Sequence, residues 1–161
     1  MSEIIMYDEE FRRIDEELKR LYQLANAKLV VLVDKNGQLI SSAGDTHDID
    51  TTALASLTAG NIAATGGIAK LLGQKEFSIL FHEGEKDNLH LSLVANKVIL
   101  VVVFDQRTSL GLVRLRVKRS TQALERIFEE LERKSKIEEG DKGIVSPFSE
   151  ITDEDIDRLF G

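Results

Sequence analysis

The chain of 161 residues is 42% hydrophobic and 30% charged, proportions that suit one folded domain with a core and exclude a largely disordered polymer. Against 21 Lys and Arg stand 28 Asp and Glu, a net charge of -7, so no dominant basic field points to nucleic acid. Cys is absent and the 3 His are scattered, which excludes disulfides and thiolate chemistry and leaves no metal or cofactor to expect.

Apolar residues at Ile4, Tyr7, Phe11, Ile14, Leu18, Leu21 and Ala25 alternate steps of three and four, the signature of one face of an amphipathic helix. Asp8, Glu9 and Glu10 suit the positive end of its dipole. Leu29 to Val33 is a short β-branched strand, and Asn36-Gly37 predicts a type I′ turn into a second strand from Leu39 to Ser42. Asp50 is positioned to cap a second helix running to about Leu72, where Gly73 stops it. Strands are predicted at Phe77 to His82, Leu89 to Val94 and Val98 to Phe104, an antiparallel meander joined by Glu83 to Asn88 and Ala95 to Lys97. The last strand is continuously apolar, so it lies inside the sheet with helices on both faces. It is also the longest apolar run, far short of the roughly 20 residues that span a bilayer. With no targeting pattern at the N-terminus, a soluble cytoplasmic protein without a membrane span is expected. Leu110, Val113, Val117, Thr121, Leu124, Phe128 and Leu131 space out a third helix.

The predicted order is α-β-β-α-β-β-β-α over residues 4 to 135, an α+β domain without internal repeats, assigned to residues 1–135. Residues 136–161 read as a linker, Lys136 to Ser149 with Gly140, Gly143 and Pro147, followed by a short acidic helix. Lys136, Lys142 and Arg158 face eight acidic side chains there, so most of the chain's net -7 is in the tail. Thr152 and Asp155 form a weak capping pair, and Phe148, Ile151, Ile156, Leu159 and Phe160 give the helix an apolar stripe. Two turns are unstable alone in water, so this helix must dock, either on its own body or on a partner with a basic rim.

The second helix lacks an ordinary solvent face. A wheel of about 100° per residue gathers Leu54, Leu57, Ile68 and Leu72 on one side as its expected core face. Ser56, Ala59, Gly60, Ala63, Gly67 and Lys70 lie opposite, where Glu, Gln and Arg would be usual. Each interior Gly costs roughly 1 kcal/mol relative to Ala, so Gly60, Gly66 and Gly67 need a reason. The inferred reason is close approach of a second chain, which makes the opposite side the candidate partner-binding surface. The helix could form a self-complementary dimer, carry a partner laid across it, or do both on different flanks. The alternative is that these glycines fit under a loop of the same domain or mark a kink.

The stretches Leu29 to Ala43 (LVVLVDKNGQLISSA), Asp50 to Gly73 (DTTALASLTAGNIAATGGIAKLLG) and Thr108 to Leu115 (TSLGLVRL) together resemble the roadblock/LC7 family over nearly all of residues 4 to 135. Their combination is specific, whereas the element order alone is not. The resemblance implies a three-layer α-β-α sandwich with a five-stranded antiparallel sheet. It also implies a homodimer joined through the third strand, with the two copies of helix 2 antiparallel. On the bacterial members it resembles, one small Ras-like GTPase rests with its switch regions on a helix-2 platform, matched here by Ser56, Ala59, Gly60, Ala63 and Gly67. Such members activate GTP hydrolysis without an inserted arginine, and control of polarity or motility follows from the same resemblance.

No catalytic residue of the chain's own is expected. Arg107, in the loop before helix 3, is the sole candidate for an arginine finger and is read as a solvated or ion-paired loop residue. His47, His82 and His90 have no partner at catalytic spacing, and there is no GxxxxGK[ST] loop. Arg114, Arg116, Lys118 and Arg119 form a basic cluster that could attract an acidic surface or the tail. The leading reading is a homodimeric GTPase activator that stabilises a switch conformation. A scaffold dimer that assembles other subunits is the alternative, and a small-molecule sensor is the weaker third.

Overall fold

A computed structural model describes residues 6–145, with side chains placed to residue 138; Ile4 and the expected tail helix lie outside them. The order is α1 (Asp8–Leu24), β1 (Leu29–Asp34), β2 (Leu39–Gly44), α2 (Thr51–Leu71), β3 (Ile79–His82), β4 (Asn88–Val94), β5 (Val98–Phe104) and α3 (Leu110–Val145). This is the predicted α-β-β-α-β-β-β-α succession. All strand pairs are antiparallel in one five-stranded sheet of order β2-β1-β5-β4-β3. Every residue of β5 is buried, as its unbroken apolar run requires of a strand paired and covered on both sides.

Alternation along the strands divides the core in two. Val30, Leu32, Leu100, Val102 and Phe104 meet Ile14, Leu18 and Leu21 of α1 and Val113, Leu124 and Phe128 of α3. Leu29, Val31, Val33, Ile99, Val101 and Val103 point the other way, toward Ala55, Leu54 and Ile62 of α2. The first helical layer is clasped by ion pairs between its two helices, Arg13 with Glu130 and Lys134 with the buried Glu10. The hydrogen bond from Lys134 holds the Glu10 carboxyl below its ordinary range.

Helix ends follow the sequence. The Asp50 carboxylate accepts from the Ala53 N–H at 3.0 Å. Gly73 sits at φ +72, its N–H donating to the Lys70 carbonyl and that of Gln74 to Ala69, a Schellman arrangement.

The structure differs in three places. Asn36 does not adopt positive φ: the Asp34 carboxylate accepts from the N–H groups of Asn36 and Gln38, and only Gly37 is left-handed, at φ +89. The result is a turn with a glycine bulge, matching the register shift at Leu32/Val33, rather than type I′. Positive φ at two successive residues occurs instead at Ala95 and Asn96, between β4 and β5, where Lys97 N–H donates to the Val94 carbonyl. Strand β3 starts at Ile79, not Phe77, because as an edge strand it exists only where β4 supplies partners. Lastly, α3 continues to Val145, so Lys136 to Val145 is helix where a linker is predicted. Glu138, Glu139 and Lys142 are good helix formers, and isolated glycines weaken a helix without ending it.

Candidate functional site

Helix α2 begins at a good cap and ends at a good stop, yet its side chains give it no obvious inside. Its buried residues are Ala55, Thr58 and Ala69, with Leu54 and Ile62 packed partly against the sheet. Of the expected core face, only Leu54 points inward: Leu57 is 73% exposed, Ile68 53% and Leu72 64%. The buried stripe is rotated by roughly 90° from the predicted one at about 100° per residue. Small Ala and Thr let the helix lie close on β1 and β2, a distance that Leu would hold open.

That rotation leaves two exposed flanks. One carries Leu57, Ile68 and Leu71, the last 87% exposed, and it adjoins edge strand β3, whose Ile79, 56% exposed, pairs with Ser92 and points to the opposite face of the sheet. Asn61, on the same side, lies 3.4 Å from the His82 ring of β3. The other flank holds Ser56, Gly60, Ala63, Gly67 and Lys70, all exposed, with Ala59 half-buried at its border. Among the described residues, a Cβ placed at Gly60, Gly66 or Gly67 would meet no atom outside its own stretch of helix within 4 Å. Among the described residues, covering by a loop of the same domain, left open by the sequence, occurs only at the N-terminal half. There a Cβ at Gly37 would come 3.1 Å from the Ser56 Cα and 3.6 Å from the Ala59 Cβ. Gly37 therefore allows the β1–β2 turn to touch α2 where any side chain would push it away.

The remaining candidates lie away from α2. Arg107 is held by its neighbour, its Nε 3.0 Å from one Asp105 carboxylate oxygen and 3.2 Å from the other, and its carbonyl accepts from Asn26. The pair raises the arginine and lowers Asp105 from their ordinary values. His47 and His82 are exposed and His90 is buried, and no group of three potential metal ligands occurs among the described residues. Arg114, Lys118 and Arg119 are exposed on α3, with Arg116 half-buried. The expected tail-docking residues Phe148, Ile151, Ile156, Leu159 and Phe160 lie outside the described residues. Sequence reasoning missed the Leu57, Ile68 and Leu71 patch. Its signal was present: α2 carries more large apolar residues than one face can bury.

A comparison with curated proteins finds no match. Among solved structures, the chain is similar to Myxococcus xanthus MglB at 62% identity, covering 79% of this chain and 96% of that one with a TM-score of 0.76. The gliding protein MglB from Thermus thermophilus matches at 33% identity over 81% of this chain and 98% of its own, with a TM-score of 0.74. A roadblock/LC7 domain from Streptomyces avermitilis, at 16% identity over 68% of this chain and 92% of its own with a TM-score of 0.62, shares the fold. The family profile described as the roadblock/LC7 domain matches residues 13–104, from α1 to the end of β5. With that match and two relatives above 30% identity, the chain belongs to the roadblock/LC7 family.

Proposed function

We propose that this chain is a homodimeric, cytoplasmic regulator of a small Ras-like GTPase of the MglA kind, and that it acts as a GTPase-activating protein without donating an arginine finger. The observation that carries this reading is α2, a helix with one flank of small residues and another of large apolar ones, both open to solvent. Leu57, Ile68 and Leu71, with the free β3 edge at Ile79, suit a second copy of the chain, since an isologous contact repeats the same apolar patch on both sides. Ser56, Ala59, Gly60, Ala63 and Gly67 then form the platform for the GTPase switch regions, with Lys70 at its rim.

Hydrolysis needs charge stabilisation on the γ-phosphate and an oriented water, and a donated arginine usually supplies ~10³ to 10⁵ in rate. The ion pair that ties Arg107 to Asp105 supports a different route. A rigid, closely fitting platform binds best to one arrangement of the switches, in which the GTPase's own groups face the nucleotide. Moving such an equilibrium from 1:99 to 99:1 takes a differential affinity of about 5.5 kcal/mol, within reach of a protein interface. The chain contributes no reacting group and supplies binding energy selectively. Control of cell polarity or motility is the process this activity would serve.

Single-turnover GTP hydrolysis by an MglA-type GTPase, with and without the purified chain, tests the reading; acceleration is expected. Ala63→Arg and Gly67→Arg should each abolish GTPase binding while leaving thermal unfolding unchanged, because a long cation fills the space the partner backbone needs. Tight binding without any rate change would favour the scaffold dimer, and normal binding by both variants would remove the platform.

A further inference from the structure

Helices α1 and α3 run antiparallel across the sheet face opposite α2, with Leu24 beside Arg116 and Ser120 at one end and Glu10 beside Lys134 at the other. Over most of that length the shared core is apolar, built from Ile14, Leu18 and Leu21 with Val117, Leu124, Ile127 and Leu131. Leu131 is the last buried residue of α3 among the described side chains, and Ile137, its next large apolar residue, is 63% exposed. At this end the contacts become ionic. Arg13 pairs with Glu130, Lys134 with Glu10, and Glu132 with Lys97 of the β4–β5 turn at 3.2 Å. The Lys134 ammonium also lies over the Tyr7 ring, 5.5 Å from its centre.

Two features set these contacts apart from the apolar part of the layer. The first is an unsatisfied interior. Glu10 is buried, yet its Oε2 has no hydrogen-bond partner among the described residues, and neither has the buried Tyr7 hydroxyl. The Glu138 carboxylate stands beside that hydroxyl and pushes it up to about 12. Buried polar atoms without partners count against the closed arrangement, because opening it returns them to water. The second feature is mutual dependence. The two ion pairs between the helices join residues 117 and 124 positions apart, so the start of α1 and the end of α3 complete one another. Burial of the Glu10 charge is tolerable only with Lys134 in place, and Lys134 is in place only while α3 runs on past Leu131.

We propose that the first turns of α1 and the last turns of α3 form one latch, which opens and closes as a unit on an otherwise intact body. Closed, it lays α3 along α1 and fixes the direction in which the chain continues past Val145. Open, residues 6–13 and 132–145 are released together, while the apolar layer from Ile14 to Leu24 and from Val113 to Leu131 stays packed. Such an opening is a sub-global unfolding step, and it needs no change in the sheet or in α2. The inference concerns the α1–α3 layer alone and stands or falls independently of the α2 platform.

Native-state hydrogen exchange in the full-length chain reads both ends at once. The Phe11 N–H, which donates to the Tyr7 carbonyl at 2.9 Å, reports on α1, and the amides of residues 135–141 report on α3. Lys134→Met should speed exchange at Phe11, Arg12 and Arg13 as well as at 135–141, by roughly tenfold or more. Glu10→Gln should likewise speed the 135–141 amides, although it lies on the other helix. Leu18, Val117 and Leu124 should exchange as before. Removing both charges, Glu10→Leu with Lys134→Met, should restore slow exchange at both ends, since no buried charge is then left unpaired. Loss of protection confined to the substituted helix overturns the proposal, as does fast exchange that persists in the double variant. Equal acceleration at Leu18, Val117 and Leu124 also overturns it, by making the pair part of the core. So does unprotected exchange of 135–141 in the unsubstituted chain, where no closed latch would exist.

Discussion

His90 stands on β4 with its side chain turned to the layer of α1 and α3, buried, and neither ring nitrogen has a partner among the described residues. Two residues along the same strand, the Ser92 hydroxyl is also buried and unpartnered. Desolvation, then the nearby Arg114 guanidinium, hold the imidazole below its ordinary value of 6.5. The folded state keeps the ring neutral while the unfolded chain takes up a proton as pH falls through 6.5, so stability is lost below that point and the loss levels off only under the folded value. The melting temperature should therefore drop on mild acidification, and His90→Leu should remove that component. Parallel pH profiles for the two proteins would rule the assignment out. Glu10, Asp15, Asp105 and Glu132, all lowered by hydrogen bonds or ion pairs, act in a separate window. Their contribution is complete above ordinary values of 3.8 to 4.5 and disappears as pH falls below them. The depression of His90 could not be read from the sequence, where it is one of three scattered histidines.

Elements with one dominant stripe were legible. In α1 the spacing of Ile14, Leu18, Leu21 and Ala25 names the buried face, and Val113, Val117, Leu124 and Leu131 do the same for α3. Helix α2 was legible as a helix but not in its rotation, because apolar residues occur almost all round it and only contact with β1 and β2 selects Ala55, Thr58 and Ala69 for burial. Ala69 is completely buried, and Ala69→Leu should destabilise the fold by about 1–3 kcal/mol through overpacking, read from urea unfolding. An unchanged midpoint would mean that the helix faces the sheet as its leucines suggest. The turns were interchanged for a related reason. Asn-Gly tolerates type I′ geometry, but the Asp34 carboxylate locks a competing turn, while the short β4–β5 connection imposes positive φ on Ala95.

At the scale of the molecule the two faces of the sheet are unequally finished. Two helices tied by ion pairs close one side, whereas the single α2 leaves Leu57, Ile68 and Leu71 uncovered on the other. Clustered apolar residues of that size beside a free strand edge carry a cost in water that a second chain relieves. Leu57→Glu combined with Leu71→Glu should convert a dimer to a monomer in sedimentation at micromolar concentration, and Gly67→Arg should leave the dimer intact. Dimers persisting in the double variant would place self-association elsewhere.

Strand order along the chain, three helices, the unbroken burial of β5 and the resemblance to a family all came from the sequence, since each depends on spacing between near neighbours or on matched local stretches. Which side of α2 is buried, where positive φ falls, how far α3 extends and how Arg107 is occupied were decided by tertiary structure. Those outcomes depend on atoms distant in sequence: the closeness of a sheet to a helix, a carboxylate in reach of a turn, a guanidinium beside an acid. Periodicity records a helix's inventory of side chains, but only the neighbours that arrive on folding choose which of them leave the water.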